Sequence, residues 1–422
     1  MFIYITRKNR DSKQMLIKKI LNISANNPLI SVFLITNTFV WLFGLSKTLN
    51  EAMKISTFSS YVTTTVWGIN FCGAVVSILA GAFLGSKFHQ RARAHFLLFW
   101  ILFGTISSIA PVFISTTTTN GILATSLLFS VSLGLGLPIC IAYFAECTVV
   151  ENRGRLAGVM SVFIMILGAL MSSLITENIR ASSFALACWR GLGLIPFLFV
   201  NVYEQYTESK VEVSFKSILK ERSFVLYIIP WIMFSLVNYL SMPVNIDVHG
   251  EDFVYRSTII ENVLMGIFAI IGGFFSDIIG RKRIVITGFI MLGLGHAILG
   301  TYPQNLFCWY FYTVVDGIAW GMFYVVFFFT LWGDLAYGKP SEKYYALGSL
   351  PFLLSNFLRL TVGSFMAETI SAYAIFSFAS FFLFLAVLPL MFAPETLPEK
   401  KIRERELRQY IQKAKKIKEK HA

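Results

Sequence analysis

With 422 residues, of which 56% are hydrophobic and 14% charged, the chain is too apolar to close as a water-soluble core of that length, and it belongs in a bilayer. A net charge of +13 would suggest nucleic acid as a partner in a soluble protein. Here the charges follow membrane topology, so lipid is the expected partner and nucleic acid is not.

Residues 1–27 carry Arg7, Lys8, Arg10, Lys13, Lys18 and Lys19 against one acid, Asp11. They read as an uncleaved cytoplasmic arm, because the apolar run that follows, Pro28 to about Leu45, has no small-residue cleavage pattern after it. Further runs cover 60–84, 94–114, 121–144, 154–175 and 184–203 and, beyond a polar stretch, 224–242, 255–275, 284–301, 306–329, 346–365 and 370–392. These runs are continuous rather than alternating, which selects spanning helices of about 20 residues over a barrel. The expectation is an all-α membrane protein of twelve transmembrane helices. A six-helix bundle at 28–203 is joined by a linker at 204–223 to a second at 224–392, and a basic tail follows at 393–422.

Of the 36 lysines and arginines, Lys47, Lys54, Arg180 and Arg256 fall on outer loops and Arg190 and Arg359 within spans. All the others share the side of the N-terminus, so both termini are expected to be cytoplasmic in a plasma-membrane protein. In the tail, Ile402, Leu407, Ile411 and Ile417 recur at roughly helical spacing, which fits an amphipathic helix on anionic lipid or a solvated tail.

The five cysteines form no CxxC pair, the five histidines no HExxH, and the chain lacks both GxSxG and a P-loop GKS or GKT. No enzyme, metal site, cofactor or ATP-driven pump is expected.

One stretch organises the rest. Gly273–Arg283 reads GFFSDIIGRKR, with Gly280 able to turn the chain and Asp277 four residues before Arg281. At an offset of 192 residues, Gly81–Arg91 reads GAFLGSKFHQR. Parallel repeats of this kind imply two bundles related by a pseudo-twofold axis, with a substrate site near the midplane.

On these residues the chain resembles the major facilitator superfamily of secondary transporters. Gly273, Asp277, Gly280, Arg281 and Lys282 match that family's GxxxDxxGRK loop. Glu146 followed by Arg153 and Gly154, after Tyr143, is similar to the pattern behind the fourth span in the sugar and metabolite:proton symporter branches, and Pro394, Glu395 and Thr396 resemble the PET that closes the twelfth. The resemblance implies a cytoplasmic gate in which Asp277 and Arg281 meet Glu146 and Arg153. The first-half copy has Gly85, Phe88 and His89 where the pattern has Asp, Gly and Arg. Phe129–Gly136 lacks the arginine of sugar porters, and the loop after the tenth span offers Asp334, Glu342 and Lys343 only, so the gate is expected to be lopsided.

Three ionisable groups lie inside spans of the second half: Glu261, Asp316 and Arg359. Such groups are costly in hydrocarbon and face a cavity or a partner. At 1.5 Å per residue, Asp316 lies roughly 14 Å deep, Arg359 roughly 9 Å and Glu261 roughly 8 Å. Spans ten and eleven are consecutive, so Asp316 and Arg359 are placed to meet, either as a staple between helices or as a proton-linked anion site, while Glu261 has no partner apparent in the sequence. Trp320, Tyr324 and Phe327 follow Asp316 along one helical face, either as a site wall or as packing, and Gly317 and Gly321 allow close helix contact. In the first half, Asn37 and Trp41 share a face and offer hydrogen bonds to a substrate or to a neighbouring helix, as do Trp67 and Asn70.

The resulting expectation is a monomeric secondary active transporter of a small polar or anionic solute, working by proton-coupled symport with alternating access. A multidrug/proton antiporter or a non-transporting membrane sensor on the same fold are the alternatives.

Overall fold

The structure is a computed structural model that describes residues 23–24, 28–201, 212–238 and 241–397. Nearly all of the basic arm, most of the linker and the amphipathic stretch of the tail lie outside the described residues. In chain order the elements are β1 (Ile23–Ser24), α1 (Pro28–Ile55), α2 (Ser60–Gly85), α3 (Gln90–Ile109), α4 (Thr119–Cys147), α5 (Arg153–Leu174), α6 (Ile179–Leu192), α7 (Ile195–Phe199), β2 (Val200–Asn201), α8 (Phe215–Ile218) and α9 (Arg222–Asn238). There follow α10 (Ser241–His249), α11 (Glu251–Ile279), α12 (Arg281–Thr301), α13 (Leu306–Phe323), a π-helix at Tyr324–Thr330, α14 (Leu331–Leu335), α15 (Glu342–Thr361), α16 (Gly363–Thr369), α17 (Ala372–Leu385) and α18 (Val387–Phe392). The strands are two residues each and pair in parallel.

This is an all-helical membrane protein. Among the described residues, ten helical stretches are long and apolar enough to cross a bilayer. The remaining two expected spans are present as helix but broken. The sixth is α6 and α7 with Gly193 and Leu194 between them, and the eleventh is α15 and α16, carrying Glu342, Lys343 and Arg359. The first helix runs ten residues past its apolar stretch, to Ile55 rather than Leu45, because residues beyond the hydrocarbon keep helical hydrogen bonding and pair Glu51 with Lys54 at 3.5 Å.

The described residues form two compact units. One holds the chain up to Cys147 and from Ile166 to Asn201; the other holds Thr148–Met165 and the described chain from residue 212 onward, so the opening turns of α5 group with the second unit.

In the first unit, α2 packs along α4 through small residues. Gly81 lies against the Leu135 carbonyl and Gly134 against Ser77, where any Cβ would overlap its neighbour. Ser126 Oγ donates to the Val66 carbonyl at 2.9 Å and Ser77 Oγ to that of Ser130 at 3.2 Å. Helices in lipid gain little from apolar burial, so close backbone approach and such hydrogen bonds hold them together.

The second unit repeats this with α11 and α13. A Cβ on Gly317 would stand 2.9 Å from the Glu261 carbonyl oxygen, and one on Gly321 2.7 Å from that of Met265. The close contact expected of Gly317 and Gly321 is therefore made, and it decides which acidic side chains become neighbours.

Candidate functional site

The α11–α13 contact brings Asp316 beside Glu261, one position before Gly317. Both side chains, with that of Tyr312, face one cavity of the second unit. Its volume is about 260 Å³, and its wall also includes Asn245, Trp320, Phe352 and Arg359. Asp316 is 5% exposed and Asn245 7%, yet Asp316 Oδ1 and Asn245 Oδ1 have no hydrogen-bond partner. Two buried acceptors turned to a polar cavity are places for a donor-bearing solute or water.

The expected meeting of Asp316 with Arg359 is corrected. Arg359 donates to Asn356 Oδ1 at 2.8 Å, and no hydrogen bond or ion pair among the described residues joins it to Asp316. Consecutive spans need not be contact partners, whereas glycine-bearing faces are. The expected aromatic face also divides. Trp320 is half-buried on the cavity wall, 5.0 Å between ring centroids from Phe234. Tyr324 and Phe327 turn into the aromatic core, where Phe327 stacks on Trp231 at 4.4 Å. At 3.6 residues per turn Tyr324, eight positions on, already stands about 80° round the helix from Asp316, and the wider turn of the π-helix at Tyr324–Thr330 shifts the register of Phe327.

At one end of the same unit, Gly273–Arg283 builds a chain of alternating charges. Asp277 closes α11 fully buried, accepting the backbone N–H of Gly154 at 2.9 Å and of Arg155 at 2.8 Å. Those are opening N–H groups of α5, which lack intrahelical acceptors and favour a carboxylate. Gly273 permits the approach, since a Cβ there would strike the Gly154 carbonyl oxygen. Arg281 donates to Asp277 Oδ1 at 2.6 Å, to Asp334 Oδ2 at 3.1 Å and to the Val150 carbonyl at 2.7 Å. Arg153 binds the other oxygen of Asp334 and the Thr148 hydroxyl.

Gly280, at φ +104°, makes the turn into α12. Glu395 then caps that helix, accepting from the N–H of Arg281 at 2.8 Å and of Lys282 at 3.2 Å. Lys282 Nζ reaches the Met391 carbonyl at 2.8 Å. Glu395→Ala is expected to cost about 1–2 kcal/mol, read as a lower thermal midpoint of the purified protein.

Arg281 and Arg153 are thus brought together through Asp334. Glu146 pairs with Arg93 inside the first unit, at the end of α4 and the start of α3. In the sequence Asp334 stands in a loop that departs from the family pattern. Its place at the end of the tenth span, as Glu146 ends the fourth, was the signal for it.

In the first unit, Asn37 and Trp41 surround Arg190, which was known from the sequence only as a basic residue inside a span. Asn37 Nδ2 donates to the Trp189 carbonyl at 2.6 Å and Trp41 Nε1 to Ser108 Oγ at 2.7 Å. Arg190 is wholly buried and donates from Nη1 to Asn37 Oδ1 at 3.0 Å and Thr38 Oγ1 at 3.1 Å.

Residues 257–421 match the family model described as Major Facilitator Superfamily. No curated protein sequence is significantly similar. Among solved structures, the chain is similar to the proton:xylose symporter XylE bound to 6-bromo-6-deoxy-D-glucose, with a TM-score of 0.64 at 16% identity over 87% of this chain and 96% of that one. A double-tryptophan variant of XylE gives 0.65 at 17% over 87% and 95%. The human organic anion transporter MFSD10 gives 0.57 at 13% over 88% and 99%. At these identities the likeness establishes the fold.

Proposed function

We propose that this chain, a major facilitator by fold and by the sequence of its second half, is a secondary active transporter that carries a small polar or anionic solute together with protons. The observation that carries the reading is the Glu261–Asp316 pair in the second-unit cavity. Two carboxyl groups on the wall of one small cavity repel when both are ionised, and neutralising one of them with a proton relieves that repulsion. A site that gains or loses that proton as it opens to either side of the membrane is a coupling site.

Arg359, beside Glu261, supplies positive charge for an anionic solute whenever Glu261 is neutral. Asp316 Oδ1 and Asn245 Oδ1 accept from donor groups of the solute, and Trp320 and Phe352 give it an apolar wall. The charge chain from Arg153 to Asp277 ties the start of α5 to α11 and α12, and its making and breaking would be a gate of the cycle. We place that gate, with both termini, on the cytoplasmic side of the plasma membrane, from the bias of lysine and arginine.

The test is reconstitution in liposomes with an imposed inward proton gradient, screening labelled sugars, carboxylates and amino acids. At least one solute should accumulate above its equilibrium level, and the accumulation should collapse with a protonophore. Binding without flux for every ligand found would favour a sensor instead.

A further inference from the structure

The second-unit cavity offers a solute two kinds of unused partner. Arg359 enters no ion pair among the described residues; it donates to Asn356 Oδ1 at 2.8 Å, and its Nη1 reaches the sulfur of Met242 at 3.8 Å. A thioether is a weak acceptor, so this guanidinium keeps its charge and a strong N–H donor for the cavity it lines. The other open positions are acceptors. Asp316 Oδ1 and Asn245 Oδ1, on residues 5% and 7% exposed, have no hydrogen-bond partner.

Helix geometry separates these acceptors. His249, which ends α10, lies 5.6 Å between ring centroids from Trp309 of α13, and this contact levels the two helices. Counted from it at 1.5 Å per residue, Asn245 stands about 6 Å and Asp316 about 10 Å into the unit, so one small molecule can reach both. The cavity of about 260 Å³ has the volume of about nine waters, which suits a solute of about that many non-hydrogen atoms.

Charge selects among solutes that carry donors. In the proton-loaded site at least one of Glu261 and Asp316 is neutral, so together with Arg359 the wall is either neutral or singly positive. A cationic amine gains no net attraction from such a wall, and a neutral polyol leaves the guanidinium uncompensated when both acids are protonated. A carboxylate pairs with Arg359 through charge-assisted hydrogen bonds, and hydroxyls donate to Asp316 Oδ1 and Asn245 Oδ1.

We infer that the solute of this cavity is a small hydroxycarboxylate, with its carboxylate on Arg359 and its hydroxyls on Asp316 Oδ1 and Asn245 Oδ1. The inference rests on the reading of this cavity as the solute site and names the class of solute.

The test compares four-carbon probes on the full chain purified in detergent, at one pH and constant ionic strength. Binding is read from the thermal midpoint and from tryptophan emission, since Trp309 and Trp320 line the cavity. Threonate carries carboxylate and hydroxyls, butanoate the carboxylate alone, erythritol the hydroxyls alone, and homoserine an ammonium with the carboxylate and one hydroxyl. Threonate should bind about tenfold or more tighter than each of the others. Arg359→Gln should weaken threonate about tenfold or more, to the level of erythritol, and Asn245→Leu should weaken it about threefold or more without weakening butanoate. If either variant does not fold, the ranking of the four probes on the parent protein decides. Erythritol binding as tightly as threonate would overturn the carboxylate contact, butanoate doing so would overturn the hydroxyl contacts, and homoserine binding more tightly would overturn the charge argument. No response to any probe would overturn the whole assignment. Failure of the transport reading gives a different result: threonate binds with this ranking, but no probe crosses proteoliposomes under a proton gradient, and the ligand class stands. If a solute of another class accumulates under that gradient while threonate does not bind, transport stands and this inference falls.

Discussion

Asp277→Asn is expected to cut transport at least tenfold and to lower stability by about 3 kcal/mol. The residue has no solvent to fall back on: its oxygens take two N–H groups that open α5 and one arm of Arg281. An amide retains a single acceptor and no charge. Arg281 is then balanced by Asp334 alone, and Asp334 already serves Arg153. Removing one member of a buried charge network costs about 3–5 kcal/mol, because the groups left behind stay buried. Arg281→Lys should be nearly as damaging, since a single ammonium cannot reach Asp277, Asp334 and the Val150 carbonyl together. Gly85→Ala, at the corresponding place of the first-half loop, should have little effect on rate or thermal midpoint. Similar losses at Gly85 and Asp277 would contradict the view that the second-half loop is the one that works.

Glu261→Gln and Asp316→Asn are expected to abolish uphill accumulation while sparing solute exchange. Each amide imitates a carboxyl that never releases its proton, so the loaded site still crosses but the gradient no longer drives it. Counterflow of labelled solute should stay within about threefold of the parent, and pH-driven accumulation should fall by more than tenfold, the effect of about 1.4 kcal/mol. Should both variants keep full pH-driven accumulation, the carboxyl pair is a helix staple and coupling lies elsewhere.

The spans were legible because each is a continuous apolar run, and the orientation of the chain was argued from charges that hydrocarbon excludes. The end of α1 was not legible, because beyond Leu45 the chain stays helical after the apolar signal stops. Glu261, Asp316, Arg359 and Trp320 were each singled out, and the structure places all four on one cavity. What the sequence could not supply was the pairing of the two acids, which depends on contact between the eighth and tenth spans. The clue was present in Gly317 and Gly321, but a small-residue stripe does not name the helix it faces.

The π-helix at Tyr324 was invisible for another reason, since no residue pattern in YVVFFFT marks a widened turn. The charge chain was half legible. The GxxxDxxGRK spacing located Asp277 and Arg281, while Asp334, Arg93 and the capping role of Glu395 required knowing which loops come together. Arg190 was visible as a basic residue inside a span, but Trp41 and Trp100, whose rings cover its guanidinium, lie 149 and 90 positions earlier in the chain, beyond any local pattern.

Proton movement accompanying solute entry tests the central claim most directly. Proteoliposomes loaded with a pH-sensitive dye and held at zero membrane potential would receive a pulse of the transported solute with no imposed pH gradient. The account predicts internal acidification in step with solute uptake in the parent protein, and none with Glu261→Gln or Asp316→Asn. Internal alkalinisation would instead show antiport, and solute uptake with no proton movement at all would contradict coupling through the Glu261–Asp316 pair.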